Sequence, residues 1–370
     1  MLIFVIIRTN MTKYAKKFFA YLLHFLSPLA MLVGFLFDYF TLTRIDRLYD
    51  NVVILTYLFI AGIGIIVVNM YESRRLGGRA FGFFYSIFPL VIQFSFGGLF
   101  SAFTVFYSKS ATLAGSWPFL LLMAGFLIGN EFLKRHYRRF TLQVSVYFFV
   151  IFSYAILVVP TLLKAIGPWI FILSGLLSLV IIEGYLWIMK KAVPYTYSDG
   201  RRALTFSIIG IFVAINIFYF TNIIPPVPLS LKQVGVYHSL VSTGDNTFRV
   251  EEENKKWYSF ILPYEQFHLI PGGSMYVVSS VYAPSQLKAK AVHVWEHFDE
   301  DQNEWVSVLE VPFTIVGGRL LGYRGYSMKK NLLPGKWRIN VETDRGQLIG
   351  RIEVKVYADN SMPKLKTIEL

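Results

Sequence analysis

The sequence predicts an α-helical transmembrane bundle of about seven helices followed by an all-β, immunoglobulin-like sandwich, and three observations carry this. Residues 1–224 hold seven apolar runs of membrane-spanning length, and positive charge alternates between the loops that join them. Past a cluster of prolines the apolar period changes from helical to two.

Composition is consistent with this division. The chain of 370 residues is 55% hydrophobic and 17% aromatic, with a mean hydropathy of +0.50, more than one soluble core explains. Divided at Leu229, it carries 19 Lys and Arg against 7 Asp and Glu before the cut, and 17 against 16 after it. The basic excess therefore sits almost wholly in the apolar part. It falls in short clusters between apolar runs, never in a continuous stripe, which argues for topology and against a nucleic-acid partner. With no cysteine, disulfides, thiolate metal sites and cysteine nucleophiles are excluded.

A run of about 20 apolar residues crosses the roughly 30 Å hydrocarbon layer as a helix, because only a helix satisfies its own backbone there. The runs are Phe18 to Phe40, Val52 to Tyr71, Phe81 to Phe106, Ala111 to Phe132, Phe140 to Leu163, Trp169 to Met189 and Ala203 to Ile224. In the third, Pro89 and Gly97-Gly98 predict a kink or a break, so the count carries a margin of one. Trp117, Trp169, Trp187 and Tyr195 stand at run ends, where amphipathic rings favour the interface. Leu2 to Ile7 is too short to span and reads as an interfacial turn or as a sign that translation begins at Met11. The first run is too long for a cleaved signal peptide and is retained.

Orientation follows from loop charge. Arg8, Lys13, Lys16, Lys17, Arg74, Arg75, Arg79, Lys134, Arg135, Arg138, Arg139, Lys190, Lys191, Arg201 and Arg202 fall on one side, against Arg44, Arg47, Lys109 and Lys164 on the other. The rule that cytoplasmic loops keep positive charge puts the N-terminus in the cytoplasm of a bacterial inner membrane. An odd number of crossings then delivers the C-terminal domain to the periplasmic or extracytoplasmic side.

Ionisable groups within a bilayer are costly and mark candidate sites. Here they are His24, Asp38, Glu131 and Glu183. The bland alternative puts the three acids near headgroup depth, paired with Arg44, Arg135 or Lys190. Gln93, Asn130 and Asn216 are expected to join helices by hydrogen bonds.

Residues 225–231, opening Pro225-Pro226-Val227-Pro228, form an extended linker between the membrane domain and a β domain over 232–370. Period-two stretches around Val234 and Val292, with further strands near Phe248 to Val250, Trp257 to Leu262, Met275 to Tyr282, Trp305 to Phe313, Leu321 to Met328, Trp337 to Glu342 and Leu348 to Tyr357, predict an antiparallel sandwich. A small barrel is the alternative. Asp344-Arg345-Gly346 and Asp299 to Asn303 supply hairpin turns.

The chemical motifs weigh as follows. His293-Val-Trp-Glu296-His297 matches an inverted zinc-protease pattern, but that chemistry needs a helix, and on a strand residues four apart lie about 13 Å from one another. Asp299-Glu300-Asp301 has a metal-carboxylate spacing, yet reads as a solvated hairpin tip. Gly272-Gly273 and Gly317-Gly318 lack a phosphate-loop frame, and no GxSxG or HExxH occurs. No metal or cofactor is expected. The residue types that supply binding hot spots gather in Trp295, Tyr323, Arg324, Tyr326, Trp337 and Arg338, the candidate ligand site. Core packing of Trp295 and Trp337 is the structural alternative. Tyr323 and Arg324 point to opposite sides of one strand, so all six cannot line one surface.

Over Val292 to Val356, the residues His293-Val-Trp295, Tyr323-Arg324 to Ser327, and Pro334-Gly335-Lys-Trp337-Arg338-Ile-Asn-Val341 with Gly346 and Gly350 resemble bacterial proteins classed as domain of unknown function 2914. Gly34-Phe-Leu-Phe-Asp38 and Thr41-Leu-Thr-Arg-Ile-Asp46 are similar to the first membrane segment of that family's multi-pass members. Tyr323 stands where the usual pattern has tryptophan. The resemblance implies a membrane-anchored β domain and no activity.

The expected function is therefore a non-enzymatic envelope protein whose partners are the lipid bilayer and an envelope protein, peptide or glycan. A transporter or lipid-handling protein is the alternative and would need Asp38, Glu131 or Glu183 on a central cavity. A membrane-bound enzyme is the third reading, and would need an acid, base or metal cluster that the linear sequence does not display.

Overall fold

The computed structural model describes residues 32–42, 44–76, 88–110, 112–132, 139–244, 247–254, 263–269, 272–358 and 363–370. The helices are α1 (Leu32–Thr41), α2 (Leu48–Glu72), α3 (Phe88–Ser110), α4 (Leu113–Phe132), α5 (Phe140–Leu163), α6 (Pro168–Ala192) and α7 (Pro194–Phe220). Five of them, α2, α3, α5, α6 and α7, are long and apolar enough to cross a membrane. The first run is described only from Leu32, and the start of the third lies outside the described residues.

Two details correct the sequence reading. Helix α3 runs unbroken through Gly97-Gly98, because these glycines serve helix contact. A Cβ on Gly98 would stand 2.7 Å from the Tyr57 ring of α2, so the missing side chain lets the two helices close. Helix α7 starts at Pro194, nine residues before the apolar run. Proline at the first helical position fixes a helical φ, and the polar segment through Arg202 continues the spiral. Only Val193 separates it from α6.

Among the five long helices, α5 is the most enclosed and α7 the least. Several polar groups inside the bundle find partners across helices. Asn69 donates to the Gln143 side chain at 2.6 Å, Tyr185 to the Gly62 carbonyl at 2.9 Å, and Asn130 to the Gln93 carbonyl at 3.0 Å. Asn216 instead donates to Phe212 of its own helix.

The strands are β1 (Ser230–Tyr237), β2 (Ser239–Gly244), β3 (Thr247–Glu253), β4 (Glu265–Leu269), β5 (Ser274–Tyr282), β6 (Lys288–Asp299), β7 (Glu304–Val316), β8 (Tyr323–Lys330), β9 (Gly335–Thr343), β10 (Leu348–Ala358) and β11 (Leu365–Glu369). They form a sheet β1-β5-β8, a five-stranded sheet β4-β10-β9-β6-β7 and a small sheet β11-β3-β2. The first two face each other across a core of Val236, Met275, Val277, Trp295, Trp337, Ile339, Ile352 and Val354, which makes a sandwich. The small sheet packs Phe248 and Val250 on Tyr237 and Val278, adding a third layer where the sequence predicted two. The pairing of β4 with β10 is parallel, so the sandwich is not purely antiparallel. The expected strand near Trp257 lies outside the described residues.

Candidate functional site

The alternation of β6 decides what the domain presents. His293 and Trp295 point into the sandwich, so Glu296 and Phe298 fall on the opposite face of the five-stranded sheet. Register sets Glu296 against Arg338 of β9 and Phe298 against Trp305 of β7. Arg338 clasps Glu296 with two donors, Nε to Oε2 and Nη2 to Oε1, the latter at 3.0 Å. Its guanidinium carbon lies 4.4 Å from the Trp305 ring centre. Phe298 meets Trp305 edge-on at 5.2 Å, and the Lys336 ammonium lies 5.2 Å over Phe298. Asn340 donates to Glu296 at 2.9 Å and accepts from Arg351 at 2.6 Å.

The result is a half-buried ladder of cations and aromatic rings tied to one carboxylate. Beside it, burial raises the Glu342 carboxyl above the usual range, and the charges of Glu296 and Glu310 push the same way, against its hydrogen bond with Asn340. Desolvation, then the neighbouring Arg338 charge, lowers Arg351. Such a face offers stacking and directional hydrogen bonds. Among the described residues, no group of three or more histidines or acids is arranged to hold a metal.

The predicted hot-spot residues do not converge. Trp295 and Trp337 are buried, edge to face at 6.5 Å, with their indole N–H groups donating to Ser327 Oγ and the Leu333 carbonyl. They are core, which corrects their assignment to a ligand surface. Tyr323, Arg324 and Tyr326 lie on β8 of the other sheet. Tyr323 packs against the buried patch that holds Val281 and Ile315, while exposed Tyr326 stands edge-on to Phe248 at 5.5 Å. Only Arg338 belongs to the ladder. Trp305, which the sequence reading assigned to a strand alone, is its central ring.

His293 is fully buried between Ser279, 2.6 Å from Nε2, and Ser327, 2.8 Å from Nδ1, and burial lowers its pKa to about 4. It is a neutral core residue on a strand.

In the bundle, His24 lies outside the described residues, as does the side chain of Glu131. Asp38 is half-buried on α1, and Glu183 is exposed on α6. Arg44, a proposed partner of Asp38, instead pairs with Asp46. That pair docks on the β domain. The Tyr282 hydroxyl donates to Asp46 Oδ1 at 2.8 Å, and the Ser285 N–H reaches Oδ2 at 3.3 Å. Burial alone would raise Asp46, but Arg44, Tyr282 and Ser285 outweigh it and hold the carboxyl below its usual range. Arg345 of the β9–β10 turn lies 4.4 Å over Tyr219 at the end of α7.

Residues 288–356 match the family described as protein of unknown function DUF2914. The match lies wholly within the β domain. It spans β6 to β10 up to Val356, and so includes Glu296, Trp305 and Arg338. No curated protein matches the chain. Among solved structures, an immunoglobulin-like protein from Pseudomonas aeruginosa is similar at 9% identity and a TM-score of 0.22, covering 35% of this chain and 98% of its own. A β-glucosidase from Listeria innocua is similar at 14% identity and a TM-score of 0.18, over 34% of this chain and 16% of its own. The alkylpurine DNA glycosylase of Pseudomonas fluorescens is similar at 9% identity and a TM-score of 0.22, over 85% of this chain and 99% of its own.

Proposed function

We propose that this is a multi-pass protein of a bacterial cytoplasmic membrane whose immunoglobulin-like β domain, on the extracytoplasmic side, binds a glycan, a peptide or an envelope protein. The reading is non-enzymatic. The observation that carries it is the guanidinium of Arg338, held between the Glu296 carboxylate and the Trp305 ring on a solvent-facing sheet. An arginine already fixed in place loses little freedom on binding, and an aromatic ring beside it gives a stacking surface for a sugar or a side chain. The membrane assignment is supported by the apolar helices, and the orientation by the loop charges.

Support for a role as anchor comes from the junction. Asp46 and Arg44 of the α1–α2 loop are bonded to Tyr282, and Arg345 stacks on α7, so the domain is fixed to the bundle at two places. A central-cavity transporter is not favoured by Glu183, which is exposed on α6.

The test uses the full-length protein in lipid nanodiscs on a glycan array and in capture from envelope extracts. Capture of a defined ligand that Trp305→Ala removes, with folding retained, supports the reading. Ligand capture indifferent to Trp305 and Arg338 rejects this face as the site.

A further inference from the structure

One described cavity lies away from the β domain. It is a groove of about 470 Å³ between the start of α5 and the first turns of α7, at the end of the bundle where Arg139, Arg201 and Arg202 lie. Its walls carry Arg139, Thr141, Ser145, Thr196, Asp199 and Ser207. Four hydroxyls and two opposite charges thus face one space. Arg139 and Asp199 are both exposed and form no ion pair with each other. The Ser145 hydroxyl is buried with no hydrogen-bond partner, a costly state that a bound acceptor would relieve.

Depth identifies the medium that the groove opens into. On α7 the polar segment ends at Arg202 and apolar residues begin at Ala203, while on α5 the apolar run begins at Phe140. Trp187 of the adjoining α6, with the Lys191 ammonium 3.5 Å over its ring, marks the same interfacial level. Phe140 and Leu142 add an apolar flank to the groove. On α-helices with about 1.5 Å rise per residue, the polar lining spans roughly two turns of α5, from Arg139 to Ser145, and about three turns of α7, from Thr196 to Ser207.

We propose that this groove binds the headgroup of a zwitterionic glycerophospholipid bearing a primary ammonium. The phosphodiester accepts from the Arg139 guanidinium and the Ser145 hydroxyl, and the ammonium donates to the Asp199 carboxylate and to neighbouring hydroxyl oxygens. A trimethylammonium headgroup lacks N–H donors for Asp199, and a glycerol headgroup lacks the cation. Basic pockets between membrane helices are suited to lipid headgroups, and an acid on the opposite wall adds the discrimination. The inference rests on the helices spanning a bilayer and is independent of what the β domain binds.

The test is native mass spectrometry of the full-length protein in detergent, titrated with phosphatidylethanolamine, phosphatidylcholine or phosphatidylglycerol, after fractionation has shown each variant in the membrane. Wild type is expected to retain phosphatidylethanolamine about tenfold better than the other two, the worth of one charge-assisted hydrogen bond. Asp199→Asn should erase the preference over phosphatidylcholine, and Arg139→Gln should weaken all three. Both side chains are exposed, so the fold should survive, with melting midpoints as the check. Equal retention of the three lipids, or a preference that Asp199→Asn leaves intact, overturns the proposal. Binding of soluble phosphoethanolamine without retention of the lipid overturns the assignment to a lipid.

Discussion

The Tyr282 hydroxyl donates to the Asp46 carboxylate at 2.8 Å across 236 residues of chain, joining the end of a β-strand to the loop between the first two helices. Arg44 completes the cluster, donating through Nε to the Tyr282 oxygen at 3.0 Å as well as to Asp46. The contact is half-buried and its three members satisfy one another, so removing one strands the others.

Tyr282→Phe should therefore cost about 1 kcal/mol, the net worth of an ordinary hydrogen bond, and Asp46→Ala about 2–3 kcal/mol, because it leaves the Arg44 guanidinium without its anion. The double variant should cost less than the sum of the two. Thermal unfolding of the purified protein reads the energies, and faster proteolysis at residues 222–229 would report loosening of the domain. Equal, additive and negligible effects would mean that the cluster does not hold the domain.

Acid should weaken the β domain through His293. Its pKa is about 4 in the fold, against about 6.5 when unfolded. The unfolded chain thus binds the extra proton first. Stability is fully present above pH 6.5, falls as pH drops below that value, and levels off below pH 4, for a total of about 3 kcal/mol. His293→Asn lowers stability at neutral pH but should flatten that limb of the profile. Asp46 adds a separate loss at lower pH. Its depressed carboxyl contributes above the ordinary carboxylate pKa and stops contributing as pH falls through the folded value.

Aromatic substitutions should separate core from face. Trp337→Ala removes a buried ring and should cost about 3–5 kcal/mol. Trp305→Ala, on a half-exposed ring, should cost far less stability while abolishing ligand capture. A Trp305 variant that unfolds like the Trp337 variant would make that ring structural.

How much of this was legible in sequence differs by element. The spanning runs were readable because lipid demands a fixed length of apolar helix, and α5 matches its run from Phe140 to Leu163 at both ends. The opening turns of α7 were not, since Tyr195 to Arg202 is polar and lies outside that demand. In the β domain the long strands showed their period, but β2, β4 and β11 are short and largely polar. Tryptophan type could not say which ring is buried. That depends on register, and a bulge between Trp295 and Glu296 shifts the pairing so that Phe298 meets Trp305. The Asp46–Tyr282 contact is non-local, and no local pattern announces it.

Gly98 gives a packing test inside the bundle. Its absent Cβ would approach the Tyr57 ring to 2.7 Å, below ordinary contact, so Gly98→Val should force α2 and α3 apart at a cost of about 1–3 kcal/mol. Gly129, which meets nothing within 4 Å, is the matched control, and Gly129→Val should be nearly silent in the monomer. Melting midpoints in one detergent decide between them. A silent Gly98 variant would show that the Tyr57 ring yields freely.

Topology is the prediction on which the functional reading turns. The loops that carry 15 Lys and Arg alternate with those that carry 4, a bias that predicts the threading. A periplasm-dependent reporter fused after Leu370 should be active, and one fused in the α6–α7 connection near Val193 inactive, with a cytoplasm-dependent reporter giving the opposite pattern. Replacing Lys190, Lys191, Arg201 and Arg202 together with neutral residues should yield a mixed population, because the last positive cluster that the charge bias assigns to the cytoplasm is lost. If the reporter after Leu370 were active only in the cytoplasm, the Trp305–Arg338 face would meet cytoplasmic ligands, and the hydroxyl-lined groove between α5 and α7 would sit in the opposite leaflet.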